Sequence, residues 1–465
     1  MIGLTEAFPL NEASIHQVLA APPAEDAVRI RELLAKAREM KGLDDGDLPS
    51  LMTIQDPGLL QELFDTARWV KDQIYGNRIV MFAPLYVSNQ CGNECLYCAF
   101  RASNLELPRR TLGMEEIANE VRCLLAQGQK RLVLVAGEDY PGEGLDYLIS
   151  AIRTVYEVRH GKDNIRRVNI NIAPLDVDGF RRLKDAEIGT YQLFQETYHR
   201  ETYHRMHTRG TKADYDWRLG CMDRAMMAGI DDVGIGPLFG LYDWRFELLA
   251  TMQHARHLEE RFGCGPHTIS MPRIEPAAGS STSEAPPYAV SDEDFKKIIA
   301  IIRLAVPYTG MILSTRERPE VRREAMHLGI SQISAGSRTN PGGYLDDSIN
   351  GGTQFSLGDH RNLDEVVRDL AEMGFLPSFC TSCYRMGRTG ADFMDLAKPG
   401  EIKAHCNPNA LATLQEYLED HASPLTRCVS EQMMARCFRD LDAPTREKAE
   451  HMVAQVKRGQ RDVFC

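Results

Sequence analysis

Six of the twelve cysteines fall into two groups of three, and these are the side chains best suited to hold a reactive metal centre. The first group is Cys91, Cys95 and Cys98, at C-x3-C-x2-C spacing in the run Cys91-Gly92-Asn93-Glu94-Cys95-Leu96-Tyr97-Cys98. It directly follows an apolar, β-branched run over 79–87. A strand that ends in a short loop can fold three thiolates around one face of an iron–sulfur cluster. Such a cluster normally takes four thiolates. Three leave one iron with an open position, where chemistry rather than mere structure can happen. Zinc is the competing reading, but zinc sites usually pair two C-x2-C arms or add histidine partners. No second arm lies nearby in the sequence.

The second group is Cys380, Cys383 and Cys406, at C-x2-C-x22-C spacing. It opens in Cys380-Thr381-Ser382-Cys383-Tyr384-Arg385 and closes at His405-Cys406-Asn407-Pro408. A zinc site completed by His405 is disfavoured, because adjacent His405 and Cys406 would have difficulty reaching one ion. Two tri-thiolate groups therefore read as two clusters, each with an open iron. The other six cysteines (Cys123, Cys221, Cys264, Cys428, Cys437, Cys465) are scattered and read as small buried hydrophobes or inert thiols.

The elements that must position these groups alternate in type. Strand-like runs lie at 79–87, 131–136, 168–172, 189–194, 232–235, 268–271, 310–314 and 330–335. Amphipathic helical stretches intervene at 113–126, 142–156, 213–228, 246–261 and 291–304. Eight strands alternating with helices predict a parallel sheet, and at this length a (β/α)8 barrel; a doubly wound open sheet is the runner-up. Barrel enzymes place their chemistry at the C-terminal ends of the strands, which is where the first cysteine loop sits.

Flanking this α/β body, residues 1–75 read as an N-terminal helical extension, with helices expected at 24–40 and 59–75. Residues 76–352 form the barrel. Residues 353–465 form a mostly helical C-terminal domain carrying the second cysteine group, with helices expected at 362–373, 408–420 and 426–458.

Bulk composition sets further limits. The chain has 465 residues, of which 43% are hydrophobic and 26% charged, enough for a large core. A net charge of −12 argues against a nucleic-acid binder. No apolar run is long enough for a membrane span. The first residues show no basic segment followed by an apolar core, and clustered cysteines in a reducing compartment mean metal more often than disulfides. The expected location is cytoplasmic.

The loop Cys91–Cys98 resembles that of the radical S-adenosylmethionine (SAM) enzymes. The resemblance implies a 4Fe–4S cluster on Cys91, Cys95 and Cys98 whose open iron is chelated by SAM, and a 5′-deoxyadenosyl radical made by one-electron cleavage. It also implies that Tyr97 lies against the adenine, and that Gly137-Glu138, ending the second strand, holds the methionine amino group. Gly234 and Gly236 then line the adenine from the fifth strand. Glu196, a polar residue just after the fourth strand, could accept hydrogen bonds from SAM. One nearby cation, with Arg205 preferred over Arg209 and Lys212, could pair with the SAM carboxylate. Arg316, after the seventh strand, could clamp a substrate carboxylate bidentately.

The second group, with its flanking Tyr384-Arg385 and Gly387-Arg388-Thr389-Gly390, resembles that of the HydG family, the tyrosine lyases that mature FeFe-hydrogenases. This implies cleavage of L-tyrosine to p-cresol and dehydroglycine. Dehydroglycine then becomes carbon monoxide and cyanide at a second 4Fe–4S cluster carrying an additional iron and cysteine. The product is an Fe(CO)2(CN)–cysteine unit for the H-cluster. The resemblance also implies that His267, in Gly265-Pro266-His267-Thr268, holds the extra iron. Implied partners are a low-potential electron donor and the scaffold GTPase of hydrogenase maturation. Two alternatives predict different products. A ThiH-type 2-iminoacetate synthase of thiamine synthesis makes p-cresol without carbon monoxide, and a non-catalytic iron–sulfur carrier cleaves no SAM.

Overall fold

The computed structural model describes residues 8–139, 144–345 and 351–465. Eight strands appear where the apolar runs predict them: β1 (Arg78–Ser88), β2 (Arg131–Ala136), β3 (Arg167–Asn171), β4 (Tyr191–Gln192), β5 (Val233–Ile235), β6 (Thr268–Ser270), β7 (Gly310–Leu313) and β8 (Gln332–Ser334). Each pairs in parallel with its neighbour, and β8 returns to β1, so the sheet closes into a (β/α)8 barrel. Strands covered on both faces carry nearly unbroken apolar runs rather than alternation. Accordingly every residue of β1 except Pro84 is buried. The barrel–helix interface forms one continuous apolar core, while Phe82, Val133 and Ile312 form a small separate cluster on the inner face of the barrel wall.

The N-terminal extension is helical, with Ala27–Ala37 capped by Asp26 and Pro57–Tyr75 capped by Asp56. It also contains Glu12–Ala20 and Leu48–Met52, two short helices outside the sequence reading. The first residues of the helix expected at 142–156 lie outside the described residues; the helix is seen as Leu145–Glu157. The stretch expected as one helix at 213–228 is two, Tyr215–Leu219 and Cys221–Met227, divided at Gly220.

The C-terminal segment differs from expectation in two ways. A ninth strand, β9 (Leu376–Ser378), adds in parallel to the start of β1, with Arg78 opposite Leu376 and Val80 opposite Ser378. The helix expected over 426–458 is broken into Pro424–Asp440 and Ala443–Lys457, because Asp442 caps a new start with Pro444 in its first turn. The helix Lys403–Asp420 brings Cys406 into its first turn and packs against both β9 and Ala443–Lys457. Among the described residues, no helix is long and apolar enough to cross a membrane.

Candidate active site

The register between β1 and β2 shifts between Tyr86 and Ser88, just before the cysteine loop. Such irregularities re-aim the chain beside a site. The loop is then tied down from three sides. Asn89 donates to the Pro108 carbonyl at 2.8 Å and accepts from the Arg110 amide at 2.6 Å. Arg109 donates to the carbonyls of Asn89 and Phe100 at 2.7 and 2.8 Å. A strap at 206–209 exchanges backbone bonds with Glu94 and Leu96. Tyr97 is oriented by His207: its hydroxyl donates to Nε2 at 2.8 Å, while His207 Nδ1 donates to the Tyr203 carbonyl at 2.8 Å. Burial holds His207 well below its ordinary pKa, so it is the neutral acceptor this chain of bonds requires.

Cys91, Cys95 and Cys98 face one cavity of about 200 Å³ at the C-terminal ends of the strands. Beside them lies a compact charge network. Glu138 accepts from Asn93 at 2.7 Å and from Arg218 at 3.2 Å, and Glu196 accepts from Lys212 at 2.6 Å with Arg218 3.5 Å away. Burial opposes ionisation of Glu138, but Arg218, Lys212 and Asn93 outweigh it and hold the carboxyl below its ordinary range. The cavity lining thus presents three carboxylates (Glu138, Glu196, Glu275) and three cations (Lys212, Arg218, Arg316) beside the three thiols. These are complements for the ammonium and carboxylate groups of an amino-acid-like ligand.

Most residues named from sequence gather here. Tyr97, Gly137, Glu138, Glu196 and Arg316 line the cavity. At Gly137 a Cβ would overlap the Gln90 carbonyl, and at Gly236 (φ +155°) the Ser270 carbonyl, so both positions need close backbone approach. Gly234 adjoins Thr268 and Gln192 in the barrel wall, where a Cβ would come 2.9 Å from the Gln192 side chain. Arg316 stacks on Phe355 at 3.3 Å, and the carboxylates of Glu196 and Glu275 act on it across the cavity. Gly234 and Gly236 are not among the residues that line it, and Arg205 lies apart: it is exposed and donates to Thr202 at 3.3 Å, because its helix Arg200–Met206 turns it to solvent. Lys212 and Arg218 occupy the cationic positions instead. Sequence reasoning missed Arg218, Asn93, His207 and Gln354, which donates toward the Cys98 thiol at 3.9 Å.

The second cysteine group lies at the opposite, N-terminal end of the barrel. Cys380, Cys383 and Cys406 line a separate cavity of about 50 Å³ together with Arg78, Arg131, His267 and Tyr384. A hydrogen bond from Cys406, helped by Arg388 and Arg78, pulls the Cys383 thiol down, toward the thiolate that binds metal, while that same bond pushes Cys406 up and burial pushes Cys380 up. His267 packs against Phe393 and Tyr384 and lies 3.4 Å from Asp232; burial lowers it to about 4, so its imidazole is neutral. His254 and His257 are turned elsewhere, to Tyr198 and Asp223. Gln192 Nε2 on the wall of the first cavity, Arg131 Nε and Arg78 Nε on the wall of the second, and Thr268 Oγ1 on β6 are buried and lack hydrogen-bond partners among the described residues. Unpartnered buried polar groups mark a polar interior rather than a sealed apolar one.

Residues 85–252 match the radical SAM superfamily, and residues 270–376 match the Biotin and Thiamin Synthesis associated domain. The chain is 33% identical to the 2-iminoacetate synthase of Escherichia coli over 74% of its own length and 88% of that protein's. It superposes on a crystal structure of HydG, a maturase of the [FeFe]-hydrogenase, with a TM-score of 0.95 and 48% identity, covering 98% of this chain and 99% of the other. HydG from Carboxydothermus hydrogenoformans superposes with a TM-score of 0.81 and 41% identity over 95% of this chain and 96% of its own. Methylornithine synthase, 23% identical with a TM-score of 0.60, shares the fold. The superfamily implies a 4Fe–4S cluster and SAM, and three thiols beside paired carboxylates and cations in one cavity fit that donor set. The likeness to HydG spans both cysteine groups, and the chain belongs to the HydG family of radical SAM enzymes.

Proposed function

We propose that this chain is a tyrosine lyase with two stations. It cleaves L-tyrosine to p-cresol and dehydroglycine at the first cavity. It converts dehydroglycine to carbon monoxide and cyanide at the second, building an Fe(CO)2(CN)–cysteine unit for the FeFe-hydrogenase H-cluster. The observation that carries this reading is the placement of two tri-cysteine cavities at opposite ends of one barrel, each with an unpartnered buried polar group in its wall. A ThiH-type 2-iminoacetate synthase needs only the first.

With its cluster and SAM bound, the first station supplies a 5′-deoxyadenosyl radical that abstracts a hydrogen atom from tyrosine. The chain's own residues prepare that step. Cys91, Cys95 and Cys98 hold the cluster. Tyr97, fixed by His207, would lie against the adenine of SAM, and Gly234 and Gly236 would allow it close approach to the barrel wall. Glu138 and the Gly137 backbone receive the methionine ammonium. Glu196 accepts from SAM as well, and Lys212 and Arg218, rather than Arg205, balance its carboxylate. Arg316, whose guanidinium stacks on Phe355 in the cavity wall, clamps the tyrosine carboxylate. Phe82, Val133 and Ile312 form an apolar floor that limits water and stray hydrogen donors. Dehydroglycine, an anion, then passes Gln192 and Arg131 toward the second station.

At that station Cys380, Cys383 and Cys406 would hold a second 4Fe–4S cluster, and neutral His267 would hold the additional iron. We assign it to a C-terminal unit, residues 353–465. The cell compartment is the cytoplasm, electrons come from a low-potential donor, and the product passes to the scaffold GTPase of hydrogenase maturation. Feeding the reconstituted protein tyrosine, SAM and dithionite tests the reading. Formation of p-cresol together with carbon monoxide, trapped as carboxyhaemoglobin, supports it; p-cresol without carbon monoxide returns the chain to the 2-iminoacetate reading.

A further inference from the structure

We infer that Glu247 is a positioning residue for the SAM pocket: it holds the left-handed turn that aims Glu196 into the cavity. The inference rests on reading Glu196 as part of that pocket. Glu196 has φ +70°, a conformation rarely adopted by residues other than glycine, asparagine and aspartate. Strained backbone persists only where its surroundings over-determine it. On the inner side, Leu238 donates its amide to the Glu196 carbonyl at 2.7 Å. On the outer side, the restraint comes from one face of the helix Trp244–Phe262. Glu247 Oε2 accepts the Tyr198 amide at 2.8 Å, and the Thr197 hydroxyl donates to Oε1. That hydroxyl also accepts the His199 amide at 3.2 Å. Two turns along the same helix, His254 meets the Tyr198 hydroxyl at 2.9 Å.

Glu247 is fully buried, and no cation among the described residues faces it. A carboxyl group is a costly choice for such a place unless its two oxygens are needed. Here both are used, one for each residue after Glu196. Released from them, the turn is free to relax to an ordinary φ, and the Glu196 carboxylate leaves Lys212 and Arg218. Glu247 itself touches neither the cavity nor the cysteine loop, so it acts only through Glu196.

The test is steady-state formation of 5′-deoxyadenosine by reconstituted holoenzyme in the wild type, Glu247→Ala, Glu247→Gln, Thr197→Val and Glu196→Gln. Glu247→Ala and Thr197→Val are expected to raise the KM for SAM about tenfold, as loss of a buried hydrogen bond does, and to leave the KM for tyrosine in place. Their kcat should stay within roughly threefold, the pattern of lost binding rather than lost chemistry. Glu247→Gln keeps an acceptor and the shape, and should recover most of the loss. A general loss of packing would lower cluster content and kcat together and would not be rescued by glutamine. If Glu196→Gln raises the SAM KM but Thr197→Val and Glu247→Ala do not, the positioning role is wrong and Glu196 keeps its place. If Glu196→Gln also leaves SAM unaffected, the reading of Glu196 falls, and this inference with it. Should Glu247→Ala fail to fold, Thr197→Val decides by the same criterion.

Discussion

Gly137→Ala is the sharpest local perturbation of the first station, because the atoms in its way are backbone. Gly137 ends β2 and donates its amide to the Ser88 carbonyl at 2.9 Å. A Cβ there would overlap the Gln90 carbonyl oxygen, and it would stand 2.8 Å from the Gln90 carbonyl carbon and 3.3 Å from that of Asn89. Ordinary carbon–carbon contact needs about 3.5–4 Å, so the chain must give by about 1 Å. Asn89 cannot yield easily, being bonded to Pro108, Arg109 and Arg110. The displacement falls on Gln90 and so on Cys91 beside it. A 1 Å misplacement of a reacting group costs on the order of 10²-fold in rate, and such overpacking costs about 1–3 kcal/mol of stability. The assay is 5′-deoxyadenosine formation under dithionite, with iron and sulfide counted on the same sample and a thermal melt alongside. The expected result is a rate down by about two orders of magnitude with the fold retained. A variant within roughly threefold of wild type in both rate and cluster content would refute the argument that Gly137 is required for close approach.

Further outcomes follow from individual groups. Arg316→Gln removes a charge-assisted carboxylate clamp worth about 1.5–3 kcal/mol, so the tyrosine KM should rise about 10- to 150-fold with the SAM KM unmoved; equal effects on both ligands would contradict the assignment. Arg218→Met leaves Glu138 with Asn93 and no ion-pair partner among the described residues, and Glu196 with Lys212; removal of one partner from a buried ionic set costs about 3–5 kcal/mol, and an unchanged melting temperature would show that the network is not a stabilising unit. Burial raises the Glu247 carboxyl from 4.5 to about 8. The native chain therefore keeps a proton that the unfolded chain releases, and this contribution to stability is complete below about pH 4.5 and lost as pH rises through about 8. Glu247→Gln should flatten that decline, gaining on wild type at about pH 9 relative to about pH 5 in anaerobic melts; the same difference at both pH values would sink the assignment.

The barrel was legible because its strands are covered on both faces and so read as unbroken apolar runs. β9 was not, since Leu376-Pro377-Ser378 is only three residues long and centred on a proline that lacks an amide to donate. The break between the last two helices carried a signal, Asp442 with Pro444, that periodicity alone overrode. The cysteine triads were legible because their chemistry is written in local spacing. Arg218 was invisible: it comes from a short helix far along the chain from both carboxylates it serves, and only folding brings them together. Arg205 failed for the complementary reason. It is near Glu196 in sequence, but the pitch of Arg200–Met206 faces it outward. Glu247 gave no motif at all, only a carboxylate on an otherwise ordinary amphipathic helix.

The central claim is a division of labour between two cysteine triads on one barrel, and the direct measurement is the product ratio of the Cys380→Ala/Cys383→Ala double variant. The substitutions lie at the N-terminal end of the barrel, remote from the loop that carries Cys91, Cys95 and Cys98. Reconstituted with tyrosine, SAM and dithionite, the variant is expected to form p-cresol at close to the wild-type rate and no carbon monoxide. Carbon monoxide appearing in wild-type proportion to p-cresol would contradict the account.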